Sequence, residues 1–195
     1  MRPTRGIMII AITGNIGSGK SIAASEFERH GFMVISADGV GHELYLEKKA
    51  RGDIVRRFGR EILVDGVIDR RKLKNIVFRD PKRLAELNAY MHPLIRERIE
   101  RMIKGKQGNI AIEAALAIEA GWRFYDKLLL ITVDRKVQRQ RLRSKGKYTE
   151  EEMENIIKSQ MAQEQKEAYA DHSIDNSTTK EEFIRKVRTY IGELA

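Results

Sequence analysis

The 195-residue chain contains no cysteine. Disulfides and thiolate metal sites are therefore excluded, and the composition fits a reducing compartment. Aromatic residues make up only 7% and are not arranged as a platform on which bases could stack. No apolar run approaches the roughly 20 residues needed to span a bilayer. The apolar stretch near the N-terminus ends at Ile12 and leads straight into glycine-rich sequence, so no signal peptide is expected. These absences lead us to expect a soluble, cytoplasmic protein without a membrane partner. Repeats, linkers and low-complexity tracts are missing as well. What remains is a hydrophobic content of 42%, enough for the core of one domain with a small inserted subdomain.

The formal net charge is +9 and is unevenly spread. Lys48 to Lys106 holds 18 Lys/Arg against 8 Asp/Glu, a local net of +10, while the rest of the chain has 19 against 20. Such a field attracts anions. The candidates are a multiply phosphorylated small molecule, nucleic acid, or simply a solvated helical face.

Ile7 to Ile12 reads as a buried strand and runs into Gly14-Asn15-Ile16-Gly17-Ser18-Gly19-Lys20-Ser21, followed by a helical pattern to about His30. Strand, loop and helix match G-x-x-x-x-G-K-[ST]. The glycines let successive N–H groups turn inward onto phosphate oxygens, and the helix N-terminus adds partial positive charge. Lys20 reaches the outer phosphates, and the Ser21 hydroxyl suits magnesium. The motif points to nucleoside triphosphate binding and leaves the use of the triphosphate open.

Further strands are expected over 32–35, 108–113, 128–133 and 172–175, with helices between them. Alternation of this kind predicts an α/β fold: a parallel five-stranded sheet with helices on both faces. Ligands of such sheets sit at the carboxyl ends of the strands. Asp38 follows the second strand there, suited to accept a hydroxyl proton, to hold magnesium through water, or to cap a helix. Glu113 ends the third strand, where an acid near magnesium is expected; Glu119 follows in the same loop. The stretch 44–106 reads as a helical insertion, with helix starts at Asp80-Pro81 and His92-Pro93. After the fourth strand Asp134 caps a basic helix carrying Arg139, Arg141 and Arg143. Lys145-Gly146-Lys147 breaks it, and Thr149 with Glu152 forms a capping box for a helix over 150–170. Basic helix, break and second helix suggest a lid that closes cations over phosphates.

Several marks, in order, resemble the dephospho-CoA kinase family. They are Thr13–Ser21 (TGNIGSGKS), Ala37-Asp38 with His42, Leu87-Asn88, His92-Pro93 with Arg96, Gln138 with Arg141-Leu142, Gln160, Ala170-Asp171, and Ile174-Asp175-Asn176. The resemblance spans Met8 to about Ser177. It implies a P-loop, nucleoside-monophosphate-kinase-like core over about 1–43, 107–140 and 168–195. It also implies an acceptor-binding insertion over 44–106 and a lid over 141–167. The implied reaction moves the γ-phosphoryl of ATP to the 3′-hydroxyl of dephospho-CoA, with Mg2+ as cofactor and no nucleic-acid or obligate protein partner. ATP would be held by Gly14 to Ser21 and Ile22, with Arg141, Arg143 and Lys145 from the lid. The acceptor would meet Asp38, His42, His92, Arg96 and Glu119. Catalysis would rest on Asp38, Lys20 and Arg141, and the metal on Ser21 and, through water, Glu113. A nucleoside or nucleoside-monophosphate kinase, and more distantly a non-enzymatic nucleic-acid-binding P-loop protein, are the alternatives. The chain departs from the family pattern at Asn15 (usually glycine), Ile22 (often threonine) and Lys145 (commonly arginine). Residues 113–119, EAALAIE, lack the usual proline and aromatic.

Overall fold

A computed structural model describes residues 6–194. In chain order the elements are β1 (Ile9–Thr13), α1 (Lys20–Arg29), β2 (Met33–Ser36), α2 (Ala37–Leu46), α3 (Lys48–Phe58), β3 (Leu63–Val64), β4 (Val67–Ile68) and α4 (Arg70–Val77). They continue with α5 (Pro81–Ile103), β5 (Ile110–Glu113), β6 (Lys127–Thr132), α6 (Arg135–Ser144), α7 (Glu150–Ser159), α8 (Gln163–Glu167), β7 (His172–Asp175) and α9 (Lys180–Gly192). Two compact units result: one up to Ser36 and from Met102 onward, the other Ala37–Arg101.

The first unit is built on a five-stranded sheet in the order β2-β5-β1-β6-β7, every pairing parallel. The central strands β1, β5 and β6 carry apolar runs, Ile9–Ile12, Ile110–Ile112 and Leu128–Ile131, because both faces are covered. Ile10 and Ile12 point to one side, where they pack with Ala23, Ala24 and Phe27 of α1 and Phe183, Val187 and Ile191 of α9. Ala11 points to the other, with Ile118 and Leu128 and with Tyr125 and Met161 packed alongside. The period-two alternation thus assigns each β1 residue to a layer. Register aligns Ile12, Ser36 and Glu113 across the sheet, and Thr132 with Asp175. β1 therefore delivers its glycine loop to the middle of the carboxyl edge.

The second unit holds α2 to α4 and most of α5, with the two-residue strands β3 and β4 forming a hairpin through Asp65 (φ 49°) and Gly66 (φ 75°). Its core is Ile54, Phe58, Ile62, Leu73, Val77 and Leu87. Much of its positive charge has internal partners. Arg57 lies 4.9 Å from the Tyr90 ring centroid and Arg83 5.7 Å from that of Phe58. Glu86 pairs with both arginines, and Glu47 with Arg98.

Two helical expectations are corrected. His92-Pro93 does not start a new helix: α5 runs continuously from Pro81 to Ile103 with Pro93 inside it. Pro93 removes only its own N–H from the ladder, and burial of Leu87, Met91 and Ile99 on either side holds the helix together. The helix expected over 150–170 is broken instead into α7 and α8, with Gln160 extended at φ −98°, ψ 149°. That break has a partner, described below.

Glu26 of α1 is 1% exposed. Its carboxylate accepts hydrogen bonds from Arg188 Nε of α9 at 2.8 Å and Arg29 Nη1 at 2.7 Å. The Arg188 hydrogen bond is the largest cause holding this carboxyl below its ordinary value of 4.5, against the opposing cost of burial. The pair therefore stabilises the fold fully above pH 4.5, and that contribution fades as pH falls below it. Glu26→Gln should cost about 1–2 kcal/mol, less than a fully buried pair because both arginines stay half in water. Thermal melts at pH 7 and pH 3 should show the gap between variant and parent shrinking in acid.

Candidate active site

The glycine loop joins β1 to α1 with Gly14, Gly17 and Gly19 at φ 143°, 80° and 102°. Two of these positions also have no room for a side chain. A Cβ on Gly14 would stand 2.3 Å from the Ile131 carbonyl oxygen, and one on Gly19 would stand 2.2 Å from Asn176 Nδ2. Helix α1 starts at Gly19 with no side-chain cap and no acid in its first turn. Helices α4, α6 and α7 are by contrast capped by Asp69, Asp134 and Thr149. An uncapped N-terminus at the end of a glycine loop is a ready site for anionic oxygens. Lys20 is half-buried, and its Nζ donates to the Asn15 carbonyl at 3.2 Å. Ser21, in the first turn, is exposed.

The loop is gripped from outside by amide side chains. Asn176, just past β7, donates from Nδ2 to the Ser18 carbonyl at 2.7 Å. Gln138 of α6 donates to the Ile16 carbonyl at 2.7 Å, and Gln160 accepts from the Ile16 N–H at 2.8 Å. Asn15 donates from Nδ2 to the Met161 carbonyl at 3.2 Å. The break between α7 and α8 is thus where backbone and amide bend onto the loop. Of these, Gln138, Gln160 and Asn176 were not among the expected site residues. Their signal lay in the marks of the family resemblance, among which all three stand.

Arg141 joins this group: its Nη2 donates to Asn176 Oδ1 at 3.3 Å, while Nη1 is buried with no partner among the described residues. An unpartnered buried guanidinium N–H beside a phosphate cradle suits an anion. Arg143 is instead bonded through Nε and Nη2 to Glu150 at 2.6 and 2.9 Å, across the turn to α7. Lys145 caps the end of α6 and is exposed. Glu113 ends β5 and is half-buried. Glu119 pairs with Lys166 Nζ at 2.9 Å and accepts from the Met161 N–H at 3.1 Å.

The other expected acceptor residues lie in the second unit. Asp38 sits in the first turn of α2, immediately after β2, and is exposed. His42 is one turn on, with Nδ1 3.3 Å from Arg70 Nη1 of α4. Partial desolvation, then the Arg70 charge, hold His42 below its ordinary 6.5, against the pull of Asp38. Tyr45, a further turn along, is raised by burial, with Arg70 lowering and Asp38 raising it. Asp38, His42, Tyr45 and Arg70 therefore form one electrostatic cluster, and Arg70 is a member the sequence did not mark. His92 and Arg96 lie four apart on α5, and Arg96 Nε donates to Glu100 at 2.9 Å.

Fold, loop and framing residues define a P-loop kinase architecture. Residues 8–182 match the family model for dephospho-CoA kinase. A dephospho-CoA kinase from Fusobacterium nucleatum is 35% identical over 187 residues, covering 94% of this chain and 97% of the relative. The crystal structure of TT1252 from Thermus thermophilus, 30% identical, superposes with a TM-score of 0.79 over 98% of this chain and 100% of that one. The dephospho-CoA kinase from Campylobacter jejuni has the same fold, with a TM-score of 0.62 at 23% identity over 97% and 98% of the two chains. The chain belongs to the dephospho-CoA kinase family.

Asn176→Ala removes the donor to Ser18 and loosens Arg141. A buried hydrogen bond left half-made costs about 1–3 kcal/mol, so kcat/KM for ATP should fall about tenfold or more, read by steady-state kinetics on folded variant. In the second unit, Arg70→Leu should raise the His42 pKa toward 6.5; two-dimensional NMR titration of the imidazole measures the shift.

Proposed function

We propose that this chain transfers the γ-phosphoryl of ATP to the 3′-hydroxyl of dephospho-CoA, in the cytoplasm, giving coenzyme A and ADP. The observation that carries the reading is the gripped glycine loop with Arg141 Nη1 buried and unpartnered beside it, in a chain whose family match runs over residues 8–182.

Phosphoryl transfer requires placement and charge neutralisation more than covalent help. In this reading the amides of Gly14 to Ser21, with Ile22 in the first helical turn, hold the β-phosphate side of ATP. Lys20 leaves the Asn15 carbonyl to span toward the γ-phosphate. Arg141 offers its open N–H to the group in transit. Arg143 and Lys145 stand further out on the lid and complete the ATP side on closure. The acceptor oxygen forms its bond to the γ-phosphorus as the bond from that phosphorus to the β–γ bridging oxygen breaks. Asp38 orients the 3′-hydroxyl and takes its proton. His42, His92 and Arg96 form the acceptor side, and the basic insertion draws in the acceptor's pyrophosphate.

Magnesium fits the residues present. It is usually held by one or two protein oxygens plus phosphates and water, and the Ser21 hydroxyl with Glu113 through water supplies such a set. When bound, it would neutralise charge on the β- and γ-phosphates.

The test is ATP-dependent conversion of dephospho-CoA by the purified protein, compared with AMP, CMP and adenosine as acceptors. Dephospho-CoA should give the highest kcat/KM, and Lys20→Ala should abolish transfer. Preference for a nucleoside or nucleotide would overturn the acceptor assignment. Asp38→Asn should lower kcat by about 10²–10⁴ with little change in KM for ATP.

A further inference from the structure

Lys166 of α8 is fully buried, an uncommon place for an ammonium. Its Nζ donates to the Ala115 carbonyl and to Glu119 Oε1, both at 2.9 Å. The same Oε1 accepts the Met161 N–H at 3.1 Å. The Ala115 carbonyl also accepts from Thr13 Oγ1 at 3.2 Å. One ion pair therefore joins the end of β1, the loop after β5 and the break between α7 and α8. Two of the groups held, the Ala115 carbonyl and the Met161 N–H, belong to backbone whose position matters elsewhere. The Met161 carbonyl is the acceptor for Asn15, and Gln160 beside it holds Ile16. Ala115 lies two residues past Glu113.

A buried pair of this kind is poor value as a stabiliser, since apolar residues of similar size often do as well or better. What apolar residues could not do is hydrogen-bond these backbone groups. We infer that Glu119 and Lys166 are positioning residues for phosphoryl transfer. They hold Met161, and through it Asn15 and Ile16, in the geometry that shapes the phosphate loop, while fixing the Glu113 loop from the same atoms. The inference rests on reading the glycine loop as the ATP site. It assigns Glu119 a role on the donor side in place of a direct acceptor contact, although its Oε2 is buried and unpartnered among the described residues.

The test compares Lys166→Met, Glu119→Gln and the double variant Lys166→Met with Glu119→Leu, which removes both charges and leaves neither stranded. Lys166→Met alone strands a buried carboxylate and should melt lowest, whereas the double variant should recover stability. If the pair positions the loop, all three variants lower kcat/KM for ATP by about tenfold or more, the scale of a lost buried hydrogen bond. KM for dephospho-CoA should stay within about twofold in each, because each loses the ion pair and leaves the acceptor side in place. Amide hydrogen exchange in residues 13–18 should speed up in the double variant. Wild-type kinetics and exchange in the stable double variant would overturn the proposal and leave a structural pair only. A rise in KM for dephospho-CoA confined to the Glu119 variants would overturn it in favour of direct acceptor contact. Failure of the wild type to phosphorylate dephospho-CoA would refute the acceptor reading; ATP binding by calorimetry and loop exchange would still judge the pair.

Discussion

A phosphate cradle made of backbone amides has no side chains pointing inward with which to keep its shape. Side chains inside it would occupy the ligand's place, and at Gly14 and Gly19 they would strike Ile131 and Asn176. Its rigidity must come from groups that bond to its outer carbonyls and N–H groups. Here Gln138, Gln160 and Asn176 do this, and the loop's own Asn15 reaches outward to Met161, each with a neutral amide that adds no charge to compete with phosphate. Much of the surrounding architecture follows from that demand. Gln160 stands at the break between α7 and α8, β7 ends just before Asn176, and α6 turns Gln138 inward.

These grips also divide the α6–α8 segment into parts with different restraint. Its two roots, at Gln138 and at Gln160–Met161, are tied to the loop by largely buried amide bonds. Its tip is tied by ion pairs, Arg143 with Glu150 and Arg139 with Glu154. The first of these is more than half exposed on both sides, and exposed pairs contribute little and weaken with salt. The tip is thus the less firmly held part of this segment, while its roots are bonded to the loop.

What the sequence revealed and what it hid divide along range. The strand–loop–helix unit, the five strands and the caps at Asp134 and Thr149 are local signals, and all are present. The glutamines and Asn176 act across separations of 122 to 158 residues, and a lone amide carries no periodicity to announce its partner. Lys166 was invisible for a related reason: on a polar helix a lysine reads as solvated, and only the fold shows it enclosed. Pro93 misled in the opposite direction, because a local breaker was outweighed by tertiary burial on both sides. In the second unit the Asp38 and His42 positions were legible from the family marks, but Arg70 came from a different helix.

Asn15 shows how a departure from a family pattern is to be weighed. A glycine in a phosphate loop is obligatory only where φ is positive or a Cβ has no room. Asp65 is the one described non-glycine residue with positive φ, so Asn15 sits in backbone that any residue can adopt. Its side chain is buried and leads away from the cradle to Met161. The position therefore carries no conformational demand for glycine, and asparagine adds a bond that glycine could not make. That bond is the only direct side-chain link among the described residues from the loop to the Met161 backbone that Glu119 also holds. In this chain a departure from the family's donor motif is what connects the motif to the buried charges behind it.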